Sequence, residues 1–276
     1  MPIEPLSIPA LDLPVAGLLE RPAGPGPWPL VILAHGFKGF MAWGPWPWVS
    51  GRLAEAGFAC LRINFTHNGI GADPEAFTEY QRFEDNTFSR EVAELRAVVK
   101  AAAALPGVDA SRIILLGHSL GGAVALLAAA QAPADVSAVV TWAGVASLDR
   151  LLGFRDHTEA WRRDGFVEVR NARTGQIMRM GVGLLEDWEA HRDTLDVPAA
   201  LRALVKAGRP VTAFQGSLDA AVAPEQGQRL ADAGARLVLV AGGDHTFGAR
   251  HPFQGDPPEA LREVMAGTLE AIRAGR

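Results

Sequence analysis

The hydropathy pattern is that of an α/β domain with a mostly parallel central sheet flanked by helices. Short apolar runs, such as residues 30–34 (LVILA) and 136–142 (VSAVVTW), lack the polar alternation of a half-exposed strand. They suit strands buried on both faces. Amphipathic stretches lie between them, clearest over residues 86–105, where Phe88, Val92, Leu95, Val99 and Ala102 share one stripe. Strands alternating with helices imply parallel pairing through right-handed crossovers. The third observation is size: 276 residues, 49% hydrophobic and 21% charged, supply one large core without staples.

The elements follow in order. The Pro-rich start, residues 5–29, reads as an edge hairpin, and Pro25, Pro27 and Pro29 lead into the 30–34 strand. A helix over 48–56 stops at Gly57, and 58–65 (FACLRINF) is a strand. The 86–105 helix ends at Pro106-Gly107, which punctuate the chain. Next come a strand at 112–116 (RIILL), a helix over 120–131 and the 136–142 strand. After a strand at 210–214, Pro224 suits the first position of a helix. A strand at 236–241 and a helix over 258–274 close the chain.

Residues 147–200 break this rhythm. They hold an apolar piece at 148–152, Trp161, a stretch from Asp187 to Leu195 and a segment, 166–180, that alternates around Asn171 to Gly175 as a β-hairpin would. We read residues 1–276 as one domain and 147–200 as a small lid-like insertion within it, the alternative being a packing extension or an oligomer contact.

The net charge of −5 comes with no basic face, which argues against nucleic acid as a partner. Cys60 is the single cysteine, in an apolar run, so neither an intramolecular disulfide nor a two-cysteine metal site is available. The first residues carry no basic, apolar leader and no long apolar stretch follows, which points to a soluble cytoplasmic protein with no membrane partner.

The sharpest chemical signal is Gly117-His118-Ser119-Leu120-Gly121, which fits G-x-S-x-G between an apolar strand and a helix. An abrupt strand-to-helix turn exposes the Ser119 hydroxyl, Gly117 and Gly121 remove side chains that would collide, and Gly122 lets the helix approach the sheet. A serine needs a base to take its proton. In this arrangement the acid and then the histidine follow the serine in the chain. Asp219 lies just past the 210–214 strand and His245 just past the 236–241 strand, at carboxyl ends where open sheets bind ligands. His245 is then the general base and Asp219 the group that orients it. Asp244 and His251 are the rivals; Asp244 shares a turn with the histidine, and His251 beside Pro252 reads as a surface residue. His157 and His191 are expected to face solvent, His118 to be structural, and His35 to brace its loop.

The 30–34 strand runs into His35-Gly36-Phe37-Lys38-Gly39-Phe40, whose glycines permit close backbone approach. The Phe37 and Leu120 backbone N–H groups are the candidate oxyanion donors, each worth roughly 3–4 kcal/mol by deletion. Lys38 reads as a solvated loop lysine, with attraction of an anionic substrate as the alternative. For the substrate pocket, Trp142, Phe37 and Leu120 are candidates, while Trp46 and Trp48 read as packing. His67 and Asn68 are placed to meet a polar group of the substrate, a turn on Asn68-Gly69 being the other reading.

Together HGF at 35–37, GHSLGG at 117–122, Asp219 and GGDHTF at 242–247 resemble the α/β-hydrolase superfamily, over about residues 28–250. HGFKGF and GGDHTF are similar to bacterial dienelactone-hydrolase-related and cinnamoyl-esterase-like members. The dienelactone hydrolases carry cysteine where this chain has Ser119, and haloalkane dehalogenases and epoxide hydrolases carry aspartate. The resemblance therefore implies an α/β-hydrolase fold and a serine carboxylesterase that acts on a small-molecule ester and needs no cofactor or metal. A peptidase, amidase or thioesterase on the same residues, or a ligand-binding sensor, are the other readings.

Overall fold

The structure, a computed structural model, describes residues 3–149 and 158–274. His157 and residues 150–152 lie outside them. The chain opens with β1 (Ile3–Ile8) and β2 (Val15–Glu20), an antiparallel edge hairpin, and β3 (Trp28–Ala34). There follow α1 (Trp46–Glu55), β4 (Ala59–Asn64), a short α2 (Tyr80–Glu84), α3 (Phe88–Ala102), β5 (Val108–His118), α4 (Leu120–Gln131) and β6 (Ala138–Trp142). Next are α5 (Thr158–Asp164), a separate hairpin of β7 (Phe166–Arg170) and β8 (Ile177–Gly181), and α6 (Val182–Ala190). The main rhythm resumes with α7 (Val197–Lys206), β9 (Val211–Gly216), α8 (Pro224–Asp232), β10 (Arg236–Val240) and α9 (Glu259–Ala274).

The main sheet has eight strands in the order β1-β2-β4-β3-β5-β6-β9-β10, and from β4 to β10 every neighbouring pair is parallel. The two-residue period of a strand divides its apolar run between two cores. In β3, Leu30, Ile32 and Ala34 face α3, α4 and α7, while Val31 and Leu33 face α1 and α9. Each of these Leu, Ile and Val side chains taken from water contributes roughly 1.5–3 kcal/mol, and this explains the unbroken apolar runs. β5 begins earlier than its apolar run because Val108 pairs with Trp28, a link made by half-exposed residues that leave no hydropathy signal.

The insertion is a compact helix–hairpin–helix unit. Trp161 is fully buried at its centre and donates its indole N–H to the Met180 carbonyl at 3.0 Å. It seats on α3, where the Ser89 N–H donates to the Asp187 carboxylate, and on α2, where Gly181 passes the Glu84 carbonyl closely enough to exclude a β-carbon. Residues from Val197 onward belong to α7, which packs on α4 in the main helical layer.

Parallel register places the strand ends together. Gly117 pairs with both Ala34 and Thr141, Trp142 with Phe214, and Val240 with Gly216. The loops carrying His35, Ser119, Asp219 and His245 therefore leave one edge of the sheet.

Candidate active site

Ser119 joins β5 to α4 with φ 54° and ψ −119°. A non-glycine residue at positive φ is strained, and the surrounding backbone holds it there. The Ser119 N–H donates to the Trp142 carbonyl at 2.9 Å. A β-carbon on Gly117 would lie 2.1 Å from the Gly121 carbonyl oxygen, and one on Gly121 would lie 2.3 Å from that of Ala34. On Gly122 it would lie 3.0 Å from the Gly144 Cα. The three glycines thus let β3, β5, α4 and the loop after β6 close around one turn.

Asp219 and His245 meet. His245 Nδ1 donates to Asp219 Oδ2 at 2.9 Å. The same carboxylate accepts the backbone N–H groups of Ala221 and Val222 at 2.9 and 2.8 Å on Oδ1, and the Gln215 amide at 3.1 Å on Oδ2. Burial pushes the Asp219 pKa up, but the His245 and backbone hydrogen bonds outweigh it and hold the carboxyl below its ordinary value. Asp219 is therefore an anion that fixes the proton of His245 on Nδ1, leaving Nε2 as an acceptor. Among the described residues Ser119 Oγ makes no hydrogen bond, and neither the Phe37 nor the Leu120 backbone N–H donates one.

Two further histidines brace these loops. His118 Nε2 donates to the His245 carbonyl at 2.9 Å, and the two rings lie 4.8 Å apart between centroids. Burial and the neighbouring His245 lower its pKa to about 3, so it is neutral. His35 Nε2 accepts the Phe65 N–H at 3.3 Å while Nδ1 donates to the Gly36 carbonyl, and burial lowers its pKa to about 4.

Other candidates lie elsewhere or are already engaged. Trp142 is core: it is 1% exposed, donates its indole N–H to Thr268 of α9 and packs on Trp46 and Phe247. Trp142 thus falls on the α1/α9 side of β6, within the core there. His67 donates from Nδ1 to Thr66 Oγ1, which hydrogen-bonds Glu94, and its charged neighbours are Arg90, Asp12, Arg82 and Asp85. Asn68 accepts from Ile70 N–H and reaches the Gly39 carbonyl and His35, so its amide builds the turn at Gly69. His251 is not a surface residue: its side chain is 6% exposed, accepts the Gly44 N–H and packs against Phe40 and Trp43. Asp244 accepts from Thr246 and Gly248 and closes its own turn. His191 is half-exposed, and Lys38 is half-buried rather than solvated.

Sequence reasoning missed Gln215 and Gln226. Gln215 ties Asp219 to the Val222 carbonyl, and Gln226 accepts the Ala146 N–H of the loop after β6. Gln215, a polar residue closing the apolar run 211–214, was the visible signal. Among the described residues no three His, Cys, Asp or Glu side chains group as a metal site requires, and no helix is long and apolar enough to cross a membrane.

The sequence pattern of the α/β hydrolase family matches residues 31–264, and the chain belongs to that family. Its fold is shared with Est1E from Butyrivibrio proteoclasticus, with a TM-score of 0.72 and 20% identity over 98% of both chains. It is shared also with a dienelactone hydrolase from Anabaena variabilis, with a TM-score of 0.66 and 20% identity over 99% of this chain and 97% of that one. Among curated proteins, the chain is 31% identical over 167 residues to the dihydrolipoyllysine-residue acetyltransferase component of an acetoin cleaving system from Cupriavidus necator. That match covers 58% of this chain and 41% of the relative, so it spans about two fifths of the relative's length.

Proposed function

We propose that the protein is a serine hydrolase that cleaves small to medium carboxylic esters through an acyl-Ser119 intermediate. The observation that carries this reading is the strained Ser119 turn beside a hydrogen-bonded Asp219–His245 pair. His245 Nε2 takes the Ser119 proton as Oγ attacks the ester carbonyl. The Phe37 and Leu120 N–H groups face the oxyanion of the tetrahedral intermediate. His245 returns the proton to the departing alcohol, and water enters by the same route to release the acid and free Ser119. The Ser119–His245 hydrogen bond forms as substrate binds, as catalytic contacts that are long without substrate commonly do. The serine and the fold it shares with Est1E and a dienelactone hydrolase support this reading.

The test is Ser119→Ala assayed with p-nitrophenyl acetate and butyrate. We expect turnover to fall by about 10³-fold or more with an unchanged circular dichroism spectrum. Equal turnover in the variant overturns the assignment.

A further inference from the structure

Lys38 holds an ammonium that, among the described residues, no carboxylate answers. Its backbone lies at φ 56°, where a glycine or asparagine sits with less strain than lysine. It follows Phe37 directly. Gly36 of the same loop approaches Ser119 so closely that a β-carbon on it would lie 2.9 Å from the Ser119 Cβ. From there the side chain reaches the insertion: Nζ donates to the Arg170 carbonyl at 2.9 Å and lies 5.3 Å from the centre of the Phe37 ring. The ammonium therefore stands between the loop beside Ser119 and the β7–β8 hairpin.

An ammonium has three donors, and one is used here. Among the described residues no carboxylate lies within ion-pair distance of Lys38. The hairpin adds further positive charge through Arg170 and Arg173, the latter stacked on Phe40 and donating to the Glu75 carbonyl. The Glu75 carboxylate faces His251 at 3.6 Å. A link to one carbonyl needs only a neutral donor, yet this loop keeps a half-buried charge with no counter-ion among the described residues, which is costly. Burial accordingly lowers the Lys38 pKa.

We propose that Lys38 pairs with a carboxylate carried by the substrate, so that the site favours esters bearing a negative charge remote from the scissile bond. This rests on the Ser119 reading above. The charge is recognised at the open side of the ammonium, while the ester carbonyl lies at Ser119.

The experiment compares monoethyl esters of dicarboxylic acids of increasing length with ethyl esters of uncharged acids of matching length, by alcohol release. At the best length the charged ester should have a kcat/KM about tenfold higher, and the preference should shrink with added NaCl. Lys38→Gln retains an N–H for the Arg170 carbonyl and should lower the charged-to-uncharged ratio about tenfold, while Lys38→Arg restores most of it. An unchanged ratio in Lys38→Gln overturns the proposal, as does an equal loss on both esters, which would mark a structural latch. If neither ester is turned over, the Ser119 reading fails, and binding then decides Lys38. The free dicarboxylates, titrated calorimetrically into Ser119→Ala, should bind at least about tenfold more tightly than into Ser119→Ala/Lys38→Gln. Equal binding overturns the proposal.

Discussion

The turn at Ser119 and the helix–hairpin–helix insertion are held in opposite ways. At Ser119 the restraint is backbone against backbone: Gly117, Gly121 and Gly122 each sit where a β-carbon would meet main-chain atoms at 2.1–3.0 Å. The insertion is joined to the core chiefly through side chains, in buried apolar packing and in links such as Ser89 to Asp187, Lys38 to Arg170 and Gln176 to Tyr80, with one close backbone approach at Gly181 and Glu84. Backbone contacts cannot yield to a new atom, whereas a side-chain link can be lost singly. Substitutions at the strand ends should therefore act steeply, and those in the insertion gradually.

The steepest is Asp219→Asn. The carboxylate accepts four hydrogen bonds, and an amide can accept on only one of its two termini. The substituted amide favours the His245 tautomer with its proton on Nε2, facing Ser119. Turnover should fall about 10⁴-fold, equivalent to about 5.5 kcal/mol of barrier. p-Nitrophenyl acetate turnover at neutral pH measures it, and a loss under tenfold would count against the proposed role of Asp219.

Gly121→Ala comes next. The added methyl would lie 2.3 Å from the Ala34 carbonyl oxygen and 2.4 Å from that of His35. Neither carbonyl can turn away without disturbing β3. A stability loss of about 3 kcal/mol or more is expected in urea unfolding. A variant as stable as the parent would show that the turn is softer than its contacts imply.

In the insertion, Trp161→Phe removes one indole N–H and leaves the Met180 carbonyl without that donor. The expected loss is about 1–2 kcal/mol, with p-nitrophenyl acetate turnover within about twofold of the parent because the Ser119 turn is untouched. A collapse of activity on this small ester would join the two regions into one unit.

The same contrast governs what could be read from the sequence. The inner strands β3, β4, β6 and β9 were legible because their apolar runs are buried on both faces, and the Ser119 turn because only glycine fits around it. The places of Asp219 and His245 after the apolar runs of β9 and β10 were legible, although β10 is a half-exposed edge strand. Trp142 was misassigned because its position at a strand end is visible in sequence, whereas the side of the sheet it faces is set by the two-residue register. His251 was misassigned because its partners, Gly44 and Phe40, lie some two hundred residues away in the chain. Long-range polar links such as Lys38 to Arg170 leave no local pattern at all.

A further effect should appear as a pH dependence in α3, the helix on which the insertion seats. Glu91 is buried there, and burial pushes its pKa up to about 8, with Glu94 adding to the rise and the Asn86 amide opposing it. In the unfolded chain it titrates near 4.5. Between these values the folded protein keeps a proton that the unfolded chain has released. The stabilisation is therefore complete below the unfolded pKa and is lost as pH rises through the folded one. Glu91→Gln retains an acceptor for Asn86 and cannot ionise. Urea midpoints should show the parent losing ground to Glu91→Gln as pH rises from about 5 to about 9. A gap that stays constant over that range would mean that the Glu91 site admits water and that the insertion's seat on α3 is looser than the buried carboxyl implies.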